Sequence, residues 1–414
     1  RDAPAAPRFL LLHRMRRYSS TEARWIGHER KRGKLEQLVG WLDEAGRSAA
    51  PPASPFLALD ALTQVRHPVR HVMTLDSDTD MPPGRLLELV GIAAHPLNRP
   101  RLDAQHRRVV AGHAILQPRV ALPLAARAAR TRFHRLFAGQ GGIDPYSAAS
   151  SEIYQDLHGE GTFTGKGLLD VQALHAVLGA RLPEGHVLSH DLLEGAIARC
   201  AGVSDVTLVE DAPGHPDVAA SRIHRWTRGD WQLLPFLLAP RRWPMALISR
   251  WKMVDNLRRS LVAPATLALI VLALATGVLP PGRVLLLALL AHAIGPLLGT
   301  VAGLAPSRDD ISLGLFWRRG LADMSRALGA GAWHLALLLD QALLSLDAIA
   351  RALWRQCVSR RRLLEWTTAA SAAAAASTAL PALARRHAPT TLAAAALAGA
   401  LALAGPAATL PWAL

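Results

Sequence analysis

Along roughly the first 250 positions, apolar residues come in short runs separated by polar turns and by stretches of helical spacing. Residues 8–13 form an apolar run that predicts a short strand. Beyond Gly27 a charged stretch opens a helix in which Leu35, Leu38, Val39 and Leu42 recur on one face. A loop rich in Pro, Ala and Ser at 48–55 separates this helix from a second strand at 69–75, which ends in Asp76-Ser77-Asp78-Thr79-Asp80. Pro82 and Pro83 then open a helix carrying Leu86, Leu87, Leu89 and Val90. Another strand follows at 114–118. Strands alternating with helices predict an α/β domain with a mostly parallel sheet, which holds its ligands at the carboxyl ends of its strands.

After about residue 260 the pattern changes to long, nearly uncharged Ala/Leu-rich stretches. Transmembrane helices are predicted at about 260–279, 284–305, 366–385 and 391–410, each close to the ~20 residues that cross a bilayer. Residues 279–283 make a tight outer turn between the first two. The segment 331–354 is apolar but interrupted by Asp340, Asp347 and Arg351. As a span it would put the basic stretch 351–362 outside, against the positive-inside tendency. It is therefore predicted as an interfacial amphipathic helix on the cytoplasmic face. The chain divides into an α/β part, 1–250, and a membrane region, 251–414.

Composition sharpens this division. Half of the residues are apolar, only 19% are charged, and the formal net charge is +15. A basic surface of that size suits nucleic acid, but the arginines at 258–259, 318–319 and 360–362 sit beside apolar runs. There they face anionic lipid headgroups, so a lipid bilayer and not nucleic acid is the expected partner. Cys200 and Cys357 lie far apart and in no metal-ligand spacing, which fits a reduced, cytoplasmic compartment. The chain starts at Arg1 without a signal-peptide pattern and reads as a piece of a longer polypeptide.

Four stretches carry candidate chemistry. Asp76 and Asp78, one residue apart on an irregular strand end, can together hold a divalent cation; a strand-to-helix turn with an Asp cap is the plainer reading of such a pair. A calcium loop is excluded, because its Gly and Glu positions hold Met81 and Leu87. Asp191, in Ser189-His190-Asp191-Leu192-Leu193-Glu194, is a candidate general base, with Glu194 a weaker one. A capping box at a helix start explains the same residues equally well. Arg222, Arg225, Trp226 and Trp231 lie within ten residues; arginines can neutralise a diphosphate, and a tryptophan can floor a sugar site. The Gly-rich stretch 159–167 lets backbone approach phosphate or sugar but lacks the P-loop order. His67 and His71 have zinc-like spacing, yet Pro68 and the strand pattern keep them off one helix face.

Taken together and in order, these residues resemble the glycosyltransferase domain of bacterial cyclic β-1,2-glucan synthases. The stretches that carry the resemblance include "TLDSDTDMPP", "AHPLNRP", "GIDPYS", "YQDLHGEGTFTGKGLLDV", "LSHDLLEG", "RIHRWTRGDWQLL", "RWKMVDNLRRSL" and "SRRRLLEWTTAA", and they extend from about residue 9 to 370. The resemblance implies a GT-A-like fold, a Rossmann-like mixed sheet shortened at its N-terminal, nucleotide-gripping end. It also implies UDP-glucose as donor, a glucan acceptor, Mg²⁺ or Mn²⁺ as cofactor, and inversion at the anomeric carbon. The pattern shared with cellulose and hyaluronan synthases maps metal binding onto Asp76 and Asp78 and the base onto Asp191. Their Q-x-x-R-W motif maps onto Arg222 to Trp226, with Arg222 where those synthases carry Gln. Arg225 and Arg222 then fall to the donor diphosphate, and Trp226 and Trp231 to the acceptor. The implied enzyme is a multi-pass protein of the bacterial inner membrane with a cytoplasmic catalytic domain and further domains in the same polypeptide. A processive synthase of another β-glucan and a non-catalytic membrane fragment are the rival readings.

Overall fold

The computed structural model describes residues 9–27, 29–48, 52–57, 68–123, 131–137, 153–302, 312–377 and 379–413. The chain opens with a hairpin of β1 (Arg17–Ser19) and β2 (Arg24–Ile26), followed by helix α1 (Arg30–Arg47). Next come β3 (His71–Thr74), β4 (Thr79–Asp80), α2 (Arg85–Ala94), β5 (Arg101–Leu102), β6 (Val109–Ala111) and β7 (Ile115–Ala121). Short helices α3 (Arg132–Phe137) and α4 (Ile153–His158) precede β8 (Gly167–Asp170), α5 (Val171–Leu178), α6 (Asp191–Ala198) and β9 (Cys200–Glu210). The rest is helical: α7 (Pro216–Gln232), α8 (Leu234–Leu238), α9 (Leu247–Thr276), α10 (Pro281–Ala302), α11 (Leu313–Ala336), α12 (Leu338–Trp354), α13 (Ala369–Ala375), α14 (Leu380–Ala404) and α15 (Leu410–Ala413).

The central sheet has the order β3-β8-β7-β9-β4. It is mixed, not mostly parallel: β7 and β9 run parallel, whereas β3–β8, β7–β8 and β4–β9 are antiparallel. The four residues of β8 lie between a Gly-rich loop and a helix, too short a run to announce a strand by periodicity. Side chains alternate across this sheet with period two. Ile115, Leu169 and Cys200 point to a core shared with α5 and α6, and Leu116, Leu168 and Ala201 to a core shared with α2. The result is a three-layer arrangement whose interior includes Leu193 and Ile197, both fully buried. Pro118 sits in β7 where the pairing with β9 shifts register, the place in a central strand that tolerates a residue without an N–H.

The predicted strand at 8–13 is irregular chain over its described residues. Leu10 and Leu12 alternate inward against the α1 cluster while Phe9 and Leu11 face out. The period is that of a strand, but no neighbouring strand pairs with it among the described residues.

The helical half departs from expectation in two places. The predicted spans at 366–385 and 391–410 are instead α13, of seven residues, and α14, which runs unbroken from 380 to 404 through Pro389. The charged residues between the two predicted spans are neutralised by protein: Arg386 pairs with Asp217 at 2.9 Å and His387 with Asp340 at 3.1 Å. The predicted helix 331–354 is cut at Leu337, and its amphipathic part, α12, lays Ala342, Ser345, Ile349 and Ala352 against protein, packing on α7 and α9. The 260–279 prediction falls in the second half of α9, and 284–305 in α10, its last three residues lying outside the described ones. Among the described residues, α9 and α14 are long and apolar enough to cross a membrane.

Candidate functional site

The site grows from the carboxyl end of β3. Thr74, the last residue of that strand, receives the N–H of Gly167 at 3.2 Å and donates to the carbonyls of Gly165 and Gly167. Buried Gln117 of β7 accepts from the N–H and hydroxyl of Thr164. The Gly-rich stretch is thereby strapped onto the sheet edge, with Gly165 at φ +92°, a conformation that favours glycine.

Past β3 the chain turns through Asp76 and Asp78 into β4, whose two residues pair with the end of β9 and bring Glu210 alongside. The carboxylates of Asp76, Asp78 and Glu210 lie within 4.8 Å of one another. Lys166 bridges Asp76 and Glu210 at 2.9 Å each, and Lys31, from the first turn of α1, reaches Asp76 and the Gly165 carbonyl. Burial pushes the Asp76 carboxyl up, but the ammoniums of Lys166 and Lys31 outweigh it and hold the group below the ordinary carboxylate value. Lys166 is correspondingly raised, because Glu210 and Asp76 overcome the effect of burial on its charge. Three hard oxygen donors without nitrogen or sulfur match the chemistry of a Mg²⁺ or Mn²⁺ site, so the residues fit the implied ion.

Asp191 begins α6 and lies against Gly165. A Cβ placed on Gly165 would meet Asp191 Oδ1 at 3.1 Å, so a side chain here would crowd the carboxylate. His190 Nδ1 stands 3.0 Å from Glu194 Oε2 and 3.4 Å from Asp191 Oδ1, and these three groups form a second cluster. Burial pushes the Asp191 carboxyl above its ordinary value; Glu194 adds to the rise and the His190 cation opposes it. For His190, burial disfavours the charge, yet Glu194 and Asp191 lift it to about 9. The Asp191 side chain keeps 32% of its surface accessible, so a hydroxyl can reach it. Lys31 and Asp76 both lie within its electrostatic range.

Arg225, on α7, feels the charges of Asp191 and Asp76 and stacks on Trp366 at 4.5 Å. Arg30 lies on the same indole at 5.0 Å. Gly229 lets α7 approach the α6 entry, since a Cβ there would meet that of Ser189 at 2.3 Å. Arg222 and Trp226 pair with each other at 5.7 Å, and Trp226 is 39% exposed. Trp231, expected at the acceptor, donates its Nε1–H to Ser260 of α9 at 2.9 Å, at the α7–α9 contact.

Sequence reasoning thus brought Asp76, Asp78, Asp191 and Arg225 to one place, and it missed Lys31, Lys166, Glu210 and Trp366. The rule that picked Asp76, an acid at the carboxyl end of an apolar strand, would also have picked Glu210. Lys166 stood inside the Gly-rich stretch already singled out.

No protein-family model matches the chain. A cyclic β-(1,2)-glucan synthase of Rhizobium meliloti (strain 1021), NdvB, is 43% identical over 363 residues, which make up 87% of this chain. Over that segment the chain is similar to this cyclic β-(1,2)-glucan synthase. It spans 12% of the length of NdvB. The resemblance seen in the motifs is confirmed by this synthase, whose alignment takes in most of the chain.

Proposed function

We propose that this chain carries the sugar-transfer site of a cyclic β-1,2-glucan synthase, a GT-A glucosyltransferase working at the cytoplasmic face of a bacterial inner membrane. It transfers glucose from UDP-glucose to a growing β-1,2-glucan with inversion. The observation that supports this most is the placing of Asp191 against Gly165, whose carbonyl shares Lys31 with Asp76 of the Asp76–Asp78–Glu210 cluster.

The Asp191 carboxylate takes the proton of the acceptor hydroxyl as that oxygen attacks the anomeric carbon. The bond from that carbon to the diphosphate breaks on the opposite face, and UDP leaves with the electron pair. Its growing charge falls near Lys31 and Arg225, whose cations stand around the cluster. Asp76, Asp78 and Glu210 would hold Mg²⁺ or Mn²⁺, which when bound would neutralise diphosphate charge. Exposed Trp226, beside Arg225, offers an aromatic face to the acceptor. α9 and α14, with α10 beside α9, supply the multi-pass membrane part.

The test is a pair of substitutions in the full-length synthase. Asp191→Asn removes the base and cuts glucose incorporation by about 10²–10⁴-fold while UDP-glucose binding, followed by calorimetry, persists. Asp76→Asn loses both cation-dependent binding and transfer. Unimpaired synthesis by Asp191→Asn would overturn the assignment.

A further inference from the structure

The carboxylate cluster holds its two lysines in unlike ways. Lys166 has a side chain only 11% exposed and is fastened at two points, to Asp76 Oδ2 and Glu210 Oε2, both at 2.9 Å. Withdrawing it would strand Glu210, which is 5% exposed, without its counter-ion. Lys31 is 37% exposed and, among the described residues, bonds a single carboxylate, that of Asp76, and the Gly165 carbonyl. Its four-carbon stem can rotate into solvent and rehydrate the ammonium at little cost. Asp78, the outermost carboxylate, is exposed and makes no ion pair among the described residues.

From this asymmetry we infer that Lys31 is a displaceable stand-in for the divalent cation, competing with it for Asp76, while Lys166 is a fixed part of the cluster. The inference rests on the cation-binding reading of Asp76, Asp78 and Glu210. With both lysines in place, three carboxylates face two ammoniums. A dication arriving on the Asp78 side meets a cluster already nearly neutral, and Asp76 is shared only once Lys31 lets go. On release the ammonium is hydrated by solvent, while its stem stays anchored in the first turn of α1 beside the cluster. Lys31 thus guards the site when the ion is absent.

Competition predicts that deleting the charge strengthens ion binding. Mn²⁺ binding to the 414-residue chain in detergent is followed by electron paramagnetic resonance of the free ion at fixed ionic strength. Lys31→Met, which keeps the stem and drops the charge, should bind Mn²⁺ roughly three- to tenfold tighter than the unaltered chain. Lys31→Arg, which keeps the charge, should bind no tighter, and Asp78→Asn should bind more weakly. Lys31→Gln replaces the methionine form if that variant fails to fold, as judged by circular dichroism. Equal or weaker Mn²⁺ binding by Lys31→Met, with Asp78→Asn still impaired, overturns the stand-in role and leaves the cation site intact. No Mn²⁺ binding by the unaltered chain or by Lys31→Met overturns the cation site and the stand-in with it.

Discussion

The cluster at the end of β3 and the cluster at the start of α6 each gather three ligand-type side chains within 4.8 Å. In the first, lysines from α1 and the Gly-rich stretch hold Asp76 low, so the group stays ionised. In the second, burial and Glu194 hold Asp191 high, against the pull of His190 and, more weakly, Lys31. Two aspartates of neighbouring clusters are thus driven in opposite directions. One is suited to remain an anion facing a cation, the other to accept a proton. The lesson is that the neighbours, and not the residue type, divide the labour.

That contrast can be broken from either side. The largest effect is expected from Lys166→Met, which leaves Glu210 buried without its cation and should cost roughly 3 kcal/mol or more of stability, read by chemical unfolding near neutral pH. A loss much below 1 kcal/mol would mean the lysine is not needed to hold the cluster. Next is Gly165→Ala, which forces a side chain into a left-handed conformation and against the Asp191 carboxylate. It should cost about 1–3 kcal/mol and lower transfer more than stability alone explains. Full activity would show that the two clusters need not be so close.

The subtlest change sharpens the comparison without breaking it. In the proposed mechanism transfer needs Asp191 ionised, so the rate should fall as pH drops through its raised value. Glu194→Gln removes a charge that raises Asp191 and should move the acid limb of the pH–rate profile to lower pH. His190→Gln removes a charge that lowers it and should move the limb to higher pH. Shifts in the same direction for both variants would refute the account.

Asp76, Asp78 and Asp191 could be read from the sequence because each lies at an element boundary announced by an apolar run on one side. Glu210 ends an equally apolar strand, but its value depends on a two-residue pairing between β4 and β9 that no local pattern announces. Trp366 is more than a hundred residues from Arg225 in the chain, and only packing joins them. The α/β layering was legible for the same reason as the first acids, whereas the antiparallel course of β8 was not, its four residues being too few to show a period. In the helical half one of the two departures, the unbroken α14, has a clear cause. Charges at 385–387 signal a loop if water is their only partner, and Asp217 and Asp340 supply another.

Helix α9 is a single rod of 30 residues, about 45 Å long, whose polar end is pinned where Lys252 grips the Glu160 and Gly161 carbonyls. Those carbonyls belong to the same Gly-rich stretch that carries Gly165 and Lys166. Pro264 removes one rung of the hydrogen-bond ladder at the border of the polar and apolar halves. The rod therefore flexes there first, and tilting of its greasy end is taken up at a joint before it can pull on the loop below.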